Sequence, residues 1–257
     1  MVNTPNILYK YVTLDVAKVI LKDNTLRATP PNELNDPFEL LPSKFIGCTI
    51  DEMKKKIMKS PEDYYNATKH TGVVKDLNEF LYKIKKDERF LRGAVSVFSD
   101  SDSMMKTFKQ SINEFSEHFG ILCFSDNKTN LLMWSHYAKN HTGVTIGFDS
   151  KLLSPHWIPV DYKPERFEIP FESMNKIENG IMFLARKSED WKYENEYRTI
   201  AILESCNYID EPSTKSGKLY LHSFNKSAIK EVIFGLNTPE KEQMILENEL
   251  KPKLSDS

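Results

Sequence analysis

The segment WKYENEYR, residues 191–198, places Glu194, Glu196 and Arg198 two residues apart from one another. If a strand starts near Glu196, the two-residue period of a strand sends these three side chains to one face and Tyr197, Thr199 and Ala201 to the other. Two carboxylates and a guanidinium on one face cost desolvation unless they serve one another or a ligand. One outcome is a salt bridge from Arg198 to Glu194 or Glu196 at a sheet edge. The other is a carboxylate pair that stabilises positive charge at a reacting sugar carbon, with Arg198 orienting it. A second acidic stretch, NELNDPFE at 32–39, gathers Asn32, Glu33, Asn35, Asp36 and Glu39, all able to bind a cation or accept hydrogen bonds, beside prolines that forbid a continuous helix. Asn35-Asp36-Pro37 is turn chemistry, with Asp36 capping and Phe38 expected to anchor the loop in the core. Glu39, leading into an apolar LLP, fits a held loop rather than a solvent tip.

In LLMWSHYAKNH (131–141), Trp134, His136 and Tyr137 fall within about one helical turn beside a polar loop. Either Trp134 is core and His136 is satisfied by a backbone carbonyl, or the three rings form a pocket rim that stacks a planar ligand. His136 and His141 are separated by i, i+5 and do not share a helix face, so a histidine metal site is not expected. The sequence holds neither a GxGxxG nor a Walker loop, and neither a GxSxG elbow nor an HExxH pair. Cys48, Cys123 and Cys206 stand alone, without metal-ligand spacing, and are expected reduced and mostly buried. Lys and Arg number 35 against 37 Asp and Glu, a net charge of -2, which leaves no global electrostatic footprint for nucleic acid. The opening residues lack a signal-peptide pattern and no apolar run approaches the roughly 18 residues of a membrane span. Cytoplasmic residence and no membrane partner are therefore the default expectations.

The elements that must position these residues read as α+β. ILYKYV (7–12) is a strand, followed by a short helix with Thr13 as N-cap and Val16, Val19 and Ile20 on one face. TLRATPP is a brief strand ending at the proline pair. From 50 to 118 the pattern turns to charged helical segments, a helical insertion in which the MKKKIMK run reads as a solvated face rather than a phosphate-binding patch. Strands return in GILCFS, TGVTIGFD, HWIPVDY, EYRTIAIL, GKLYLHS and IKEVIFG, with helices expected over LLMWSHYAKN, 171–187 and the TPEKEQMILENEL segment near the C-terminus. The expected architecture is a single α+β domain over 1–257, a mixed or antiparallel sheet core interrupted by a large helical insertion at 50–118.

Four ordered stretches, LYKYVTLDVAKVILKDNTLRATPPNELNDPFE, GILCFSDNKTNLLMWSHYAKNHTGVTIGFD, WKYENEYR and EVIFG, resemble the bacterial proteins catalogued as domain of unknown function 2971. Some of those resemble abortive-infection proteins, which implies a phage-defence or toxin-type effector. More remotely, strand, helix, LRATPP, a later strand carrying a serine and a Glu-x-Glu opening a strand is similar to the order of landmarks in ADP-ribosyltransferases, which cleave the nicotinamide glycosidic bond of NAD. The similarity implies that Glu196 holds the ribose hydroxyl and stabilises the oxocarbenium-like transition state, that Glu194 serves the acceptor, and that Ser125 stands at the middle landmark. Lys10 or Tyr9 and Tyr11 stand where that family offers an Arg or His to the dinucleotide, and a lysine lacks the bidentate fork. The NDPFE stretch, with Asn35, Asp36 and Glu39, would line the mouth of the cleft, Tyr137 or Trp134 would stack the nicotinamide, and Arg27 and His136 would be further dinucleotide-binding residues. NAD would be the substrate, a protein or nucleic acid a possible acceptor, and no metal is expected. Two other classes fit the same residues. One is a metal-dependent nuclease in which Asp36, Glu39, Glu194 and Glu196 gather Mg²⁺ while Lys187 or Lys192 supports the phosphate. The other is a non-catalytic module that senses a nucleotide or a protein.

Overall fold

In chain order the elements are β1 (Ile7–Val12), α1 (Leu14–Asp23), β2 (Thr25–Ala28), β3 (Lys44–Ile46), α2 (Ile50–Lys59), α3 (Pro61–Thr68), α4 (Leu77–Lys86) and α5 (Glu88–Ser99). Next come α6 (Ser101–His118), β4 (Phe119–Ser125), α7 (Leu131–His136), β5 (Val144–Asp149), α8 (Ser150–Leu153), β6 (Ile158–Pro159), β7 (Asp161–Lys163) and β8 (Glu168–Pro170). The chain closes with β9 (Arg186–Ser188), β10 (Glu196–Ile202), β11 (Asn207–Asp210), β12 (Lys218–Ser223), β13 (Ile229–Phe234) and α9 (Glu240–Leu254). The computed structural model describes residues 4–36, 38–170 and 183–254. The described residues fall into two compact units, one within the bounds Met1–Leu40, Ile112–Glu165 and Leu184–Ser257, the other within Leu41–Ser111 and Arg166–Phe183.

The first unit is built on a six-stranded sheet of order β13-β5-β1-β4-β10-β6, every neighbour antiparallel. A three-stranded antiparallel sheet, β11-β12-β2, and a parallel β7-β9 pair complete it. Alternation along the strands divides the large sheet into two faces. Leu8, Val12, Leu122, Phe124, Ile146, Phe148 and Ala201 enter the main core. Helix α1 covers that core, capped at its start by the Thr13 hydroxyl and ended by Asn24 in the left-handed conformation. Its buried stripe is Ala17, Ile20 and Leu21, whereas the expected Val16 and Val19 are 47% and 45% exposed. The small Ala17 allows close approach, and the i, i+3, i+4 set starting from it turns the two valines to the flank.

The second unit holds α2 to α5, the first turns of α6 and the parallel pair β3-β8. Met53, Ile57, Val74, Phe80, Ile84 and Leu91 form one core there, and Phe45, Met104, Phe167 and Ile169 another. Helix α2 begins with a reciprocal capping box between Thr49 and Glu52. Met53 and Ile57, four residues apart, are its buried face, so the lysines between them occupy the outer one. The protein is an α+β molecule with predominantly antiparallel sheets and substantial helix. Most of the helix expected over 171–187 lies outside the described residues. Arg186 and Lys187, its last two positions, are in strand β9 instead, where parallel pairing with Asp161 and Tyr162 fixes them as extended chain. No helix among the described residues is long and apolar enough to cross a membrane.

Candidate active site

The second face of the six-stranded sheet carries the polar residues. Tyr9 on β1 pairs with Ser125 on β4, Ser125 pairs with Glu196 on β10, and Cys123 pairs with Arg198 one step along. Residues paired across strands share a face, so these five form two adjacent rows. Gly147 on β5 lies opposite Tyr9. A Cβ there would come within 2.7 Å of Glu231 Cγ and 3.0 Å of Tyr9 Cε1, so glycine lets the Tyr9 ring lie down and donate its hydroxyl to Glu231 at 2.8 Å.

Glu194 reaches this face by a different route from the one alternation predicts. It ends a 3₁₀ turn, Glu189–Glu194, and Asn195 then takes φ 43°, a left-handed conformation that asparagine tolerates better than most residues. That reversal lets Glu194 and Glu196 meet over one cation. Lys187 Nζ donates to Glu194 Oε2 at 2.6 Å and to Glu196 Oε2 at 3.1 Å. Arg198 grips Glu196 with two nitrogens, Nε to Oε1 at 2.9 Å and a terminal nitrogen to Oε2 at 2.8 Å. The same terminal nitrogen donates to Glu39 Oε1, and the other donates to the Leu184 carbonyl at 2.8 Å. The Tyr137 hydroxyl donates to Glu194 Oε1 and accepts from Asn35 Nδ2 at 3.2 Å. A continuous chain thus runs Asn35, Tyr137, Glu194, Lys187, Glu196, Arg198, Glu39, and both its ends lie on the 31–40 segment.

That segment is held at several points. The proline pair starts a 3₁₀ turn at Pro31, the Asn32 N–H donates to Ser116 Oγ at 3.1 Å, and Glu33 accepts from the Ser216 N–H at 2.9 Å. Asp36 Oδ1 accepts from the Phe38 N–H at 2.9 Å, closing the expected turn. The anchor differs from expectation: Phe38 is 61% exposed, while Glu39 and Leu40 are buried. Leu40 packs with Ile121 and Leu184 at φ 64°, a costly backbone for leucine that sustains the burial of its neighbour Glu39.

Arg198, Glu194, Lys187, Glu196 and Glu39 are all less than a tenth exposed. Burial pushes the Glu196 carboxyl up, but Arg198 and Lys187 outweigh it and hold the group well below its ordinary value. Burial likewise pulls the Lys187 ammonium down, while Glu196, Glu39 and Glu194 hold it above its ordinary value. Glu39 goes the other way. Desolvation dominates there, and its carboxyl is raised in spite of Arg198 and Lys187. The Tyr137 hydroxyl is raised by burial and by Glu194, so it stays a donor. Among the described residues, Glu39 Oε2 is buried and has no hydrogen-bond partner.

These groups wall a cavity of about 100 Å³. At ~30 Å³ per water molecule it has room for about three waters, less than the ~300 Å³ or more of a pocket that encloses a drug-sized ligand. Of the candidates read from the sequence, it brings together Glu194, Glu196, Arg198, Lys10, Tyr11, Asn35, Ser125 and Tyr137. Lys10 is committed elsewhere, with Nζ donating to the Cys123 carbonyl at 2.7 Å, and the Tyr11 hydroxyl donates to the Asn127 carbonyl at 2.7 Å. Arg27, Asp36, Trp134 and His136 are not on its wall. Arg27 is exposed and pairs with Glu33 at 3.1 Å. Trp134 is core, edge-on to Tyr11 and stacked on His141, and exposed His136 meets the Tyr193 hydroxyl at 3.0 Å. Sequence reasoning put Glu39 in a held loop at the cleft mouth or in metal chemistry, gave Lys187 a part in metal chemistry only, and left Cys123 unplaced. The apolar residues flanking Glu39 were the available signal for a buried carboxyl. Among the described residues, no group of three or more His, Cys, Asp and Glu side chains is arranged to hold a metal ion.

Comparison with curated proteins finds no match, and neither does comparison with solved structures. Residues 133–199, which run from α7 into β10 and carry Tyr137, Lys187, Glu194, Glu196 and Arg198, match the model of a family described as a protein of unknown function, DUF2971.

Proposed function

We propose that the cavity cleaves an N-glycosidic bond, with NAD as the substrate and with a role as a phage-defence or toxin-type effector. The supporting observation is that residues of acidic segments far apart in the chain, 34–39 and 194–198, meet the aromatic turn at Tyr137 around one half-open cavity. Cleavage of a bond between a sugar carbon and a ring nitrogen develops positive charge at the sugar, and ionised carboxylates held in place beforehand stabilise such charge without reorganising. Glu196 is kept ionised by Arg198 and Lys187, and Glu194 is oriented by Tyr137 and Lys187. The volume limits what enters to a small end of the substrate, so most of the dinucleotide remains outside.

A second reading, a non-catalytic module that recognises a nucleotide or a protein, is favoured by one detail: both oxygens of Glu196 already accept hydrogen bonds from Arg198 or Lys187, so the buried charges satisfy each other. A nuclease centre has less support, because Asp36 lies off the cavity wall and Lys187 occupies oxygens of both Glu194 and Glu196. The test is incubation of the purified protein with NAD labelled in the nicotinamide ring, with and without Mg²⁺ and cell extract. Release of nicotinamide that is lost in folded Glu196→Gln supports cleavage. Metal-dependent loss of added nucleic acid supports the nuclease, and saturable NAD binding without turnover supports the recognition module.

A further inference from the structure

We infer that Glu39 is the general base of the site, accepting a proton through Oε2 from a water molecule that attacks the sugar carbon. The assignment rests on the glycosidic reading above and adds the identity of the acceptor, water, and of the group that activates it.

The three carboxyl groups on the cavity wall differ in how their oxygens are used. Glu196 accepts on both from Arg198 and Lys187, and Glu194 accepts on one from Tyr137 and on the other from Lys187. Glu39, a residue of the cavity wall, is held on Oε1 alone, by Arg198, which fixes its orientation and leaves Oε2 buried and without a hydrogen-bond partner among the described residues. A buried acceptor left unmatched costs stability, and such an exception among otherwise satisfied groups calls for a partner that arrives with the ligand. The cavity that Glu39 lines is large enough for water, a nucleophile that needs no further partner. Burial leaves the Glu39 carboxyl raised in spite of Arg198 and Lys187, the cations that hold Glu196 down, which brings Glu39 nearer to the pH at which a base works best.

The step balances without a further reactant. The bond from the sugar carbon to the pyridinium nitrogen breaks and its electron pair stays with the ring, giving neutral nicotinamide. The water oxygen bonds to the sugar carbon, its proton passes to Glu39 Oε2, and Glu39 then releases that proton to solvent.

The experiment compares wild type, Glu39→Gln and Glu39→Asp for nicotinamide release from NAD across pH, with thermal midpoints measured alongside. Glutamine keeps an oxygen for Arg198 but cannot take a proton. The wild-type rate should fall on the acid side as Glu39 protonates, and Glu39→Gln should lose about a hundredfold or more and with it that acid limb. Should Glu39→Gln fail to fold, Glu39→Asp decides, with a slower rate and the acid limb retained. An active wild type alongside a folded Glu39→Gln of equal rate and unchanged pH profile overturns the assignment and leaves the glycosidic reading standing. A Glu39→Asp profile without the acid limb overturns it as well. A wild type that releases no nicotinamide at any pH overturns both.

Discussion

Lys187→Met removes the cation shared by Glu194 and Glu196. In the folded protein Lys187 is 5% exposed, and its ammonium lies 2.6 Å and 3.1 Å from the two carboxylates. Methionine keeps most of the side-chain volume, so the loss is electrostatic and not a cavity. Removing one partner of a buried ion pair costs about 3–5 kcal/mol, because the other partner stays buried and uncompensated. At ~2–4 °C per kcal/mol for a unit of this size, the thermal midpoint should fall by about 6–20 °C. A double-mutant cycle with Glu194→Gln separates the pair from general damage. The two changes should be non-additive by ~1 kcal/mol or more, since the residues share one hydrogen bond within one network. Arg92→Ala, at the exposed Glu88–Arg92 pair on α5, is the control and should leave the midpoint almost unchanged. Calorimetry or chemical denaturation reads all of these. A Lys187→Met protein within about 1 kcal/mol of wild type, or strict additivity with Glu194→Gln, would refute the shared-cation geometry, since the lowest expected cost is ~3 kcal/mol.

Stability should respond to pH through two carboxyls of opposite sign. Glu196 is lowered on folding, so its contribution is present above the ordinary glutamate value of ~4.3 and lost as pH falls through its folded value; Glu39 is raised, so its contribution is present below ~4.3 and lost as pH rises through its folded value. Glu39→Gln, which mimics the neutral form, should therefore be at least as stable as wild type at pH ~7 and lose that margin below pH ~4, as equilibrium unfolding at the two pH values would show. Tyr137→Phe deletes the hydroxyl that donates to Glu194 and should cost about 1.5–3 kcal/mol by denaturant titration. Gly147→Ala should cost about 1–3 kcal/mol, because the added methyl displaces the Tyr9 ring or Glu231, and chemical-shift changes should centre on those two residues.

The strands that bear the site were legible as short runs rich in β-branched, aromatic and other apolar residues, and EYRTIAIL, GILCFS and ILYKYV fall on β10, β4 and β1. Alternation also identified Glu196 and Arg198 as sharing a face. It predicted the right company for Glu194 through the wrong geometry, because a left-handed residue at Asn195 is a backbone reversal that no hydrophobic period encodes. The arrival of Glu39 beneath Arg198 was not legible, since it depends on a long-range pairing and on the strained Leu40 that follows it. Strand β11 escaped notice because its four residues are all exposed and show no apolar side to read. The aromatic turn was divided by a helix period too short to judge: Tyr137 meets the cavity, Trp134 turns into the core, and His136 faces solvent.

The most direct measurement is a proton NMR time course of NAD with the purified protein near neutral pH. Resonances of free nicotinamide should grow with wild type and fail to grow with Glu196→Gln that retains its fold. NAD that persists unchanged beside folded wild type, or equal rates for the two proteins, would contradict a catalytic role for the carboxylates gathered around Lys187 and Arg198.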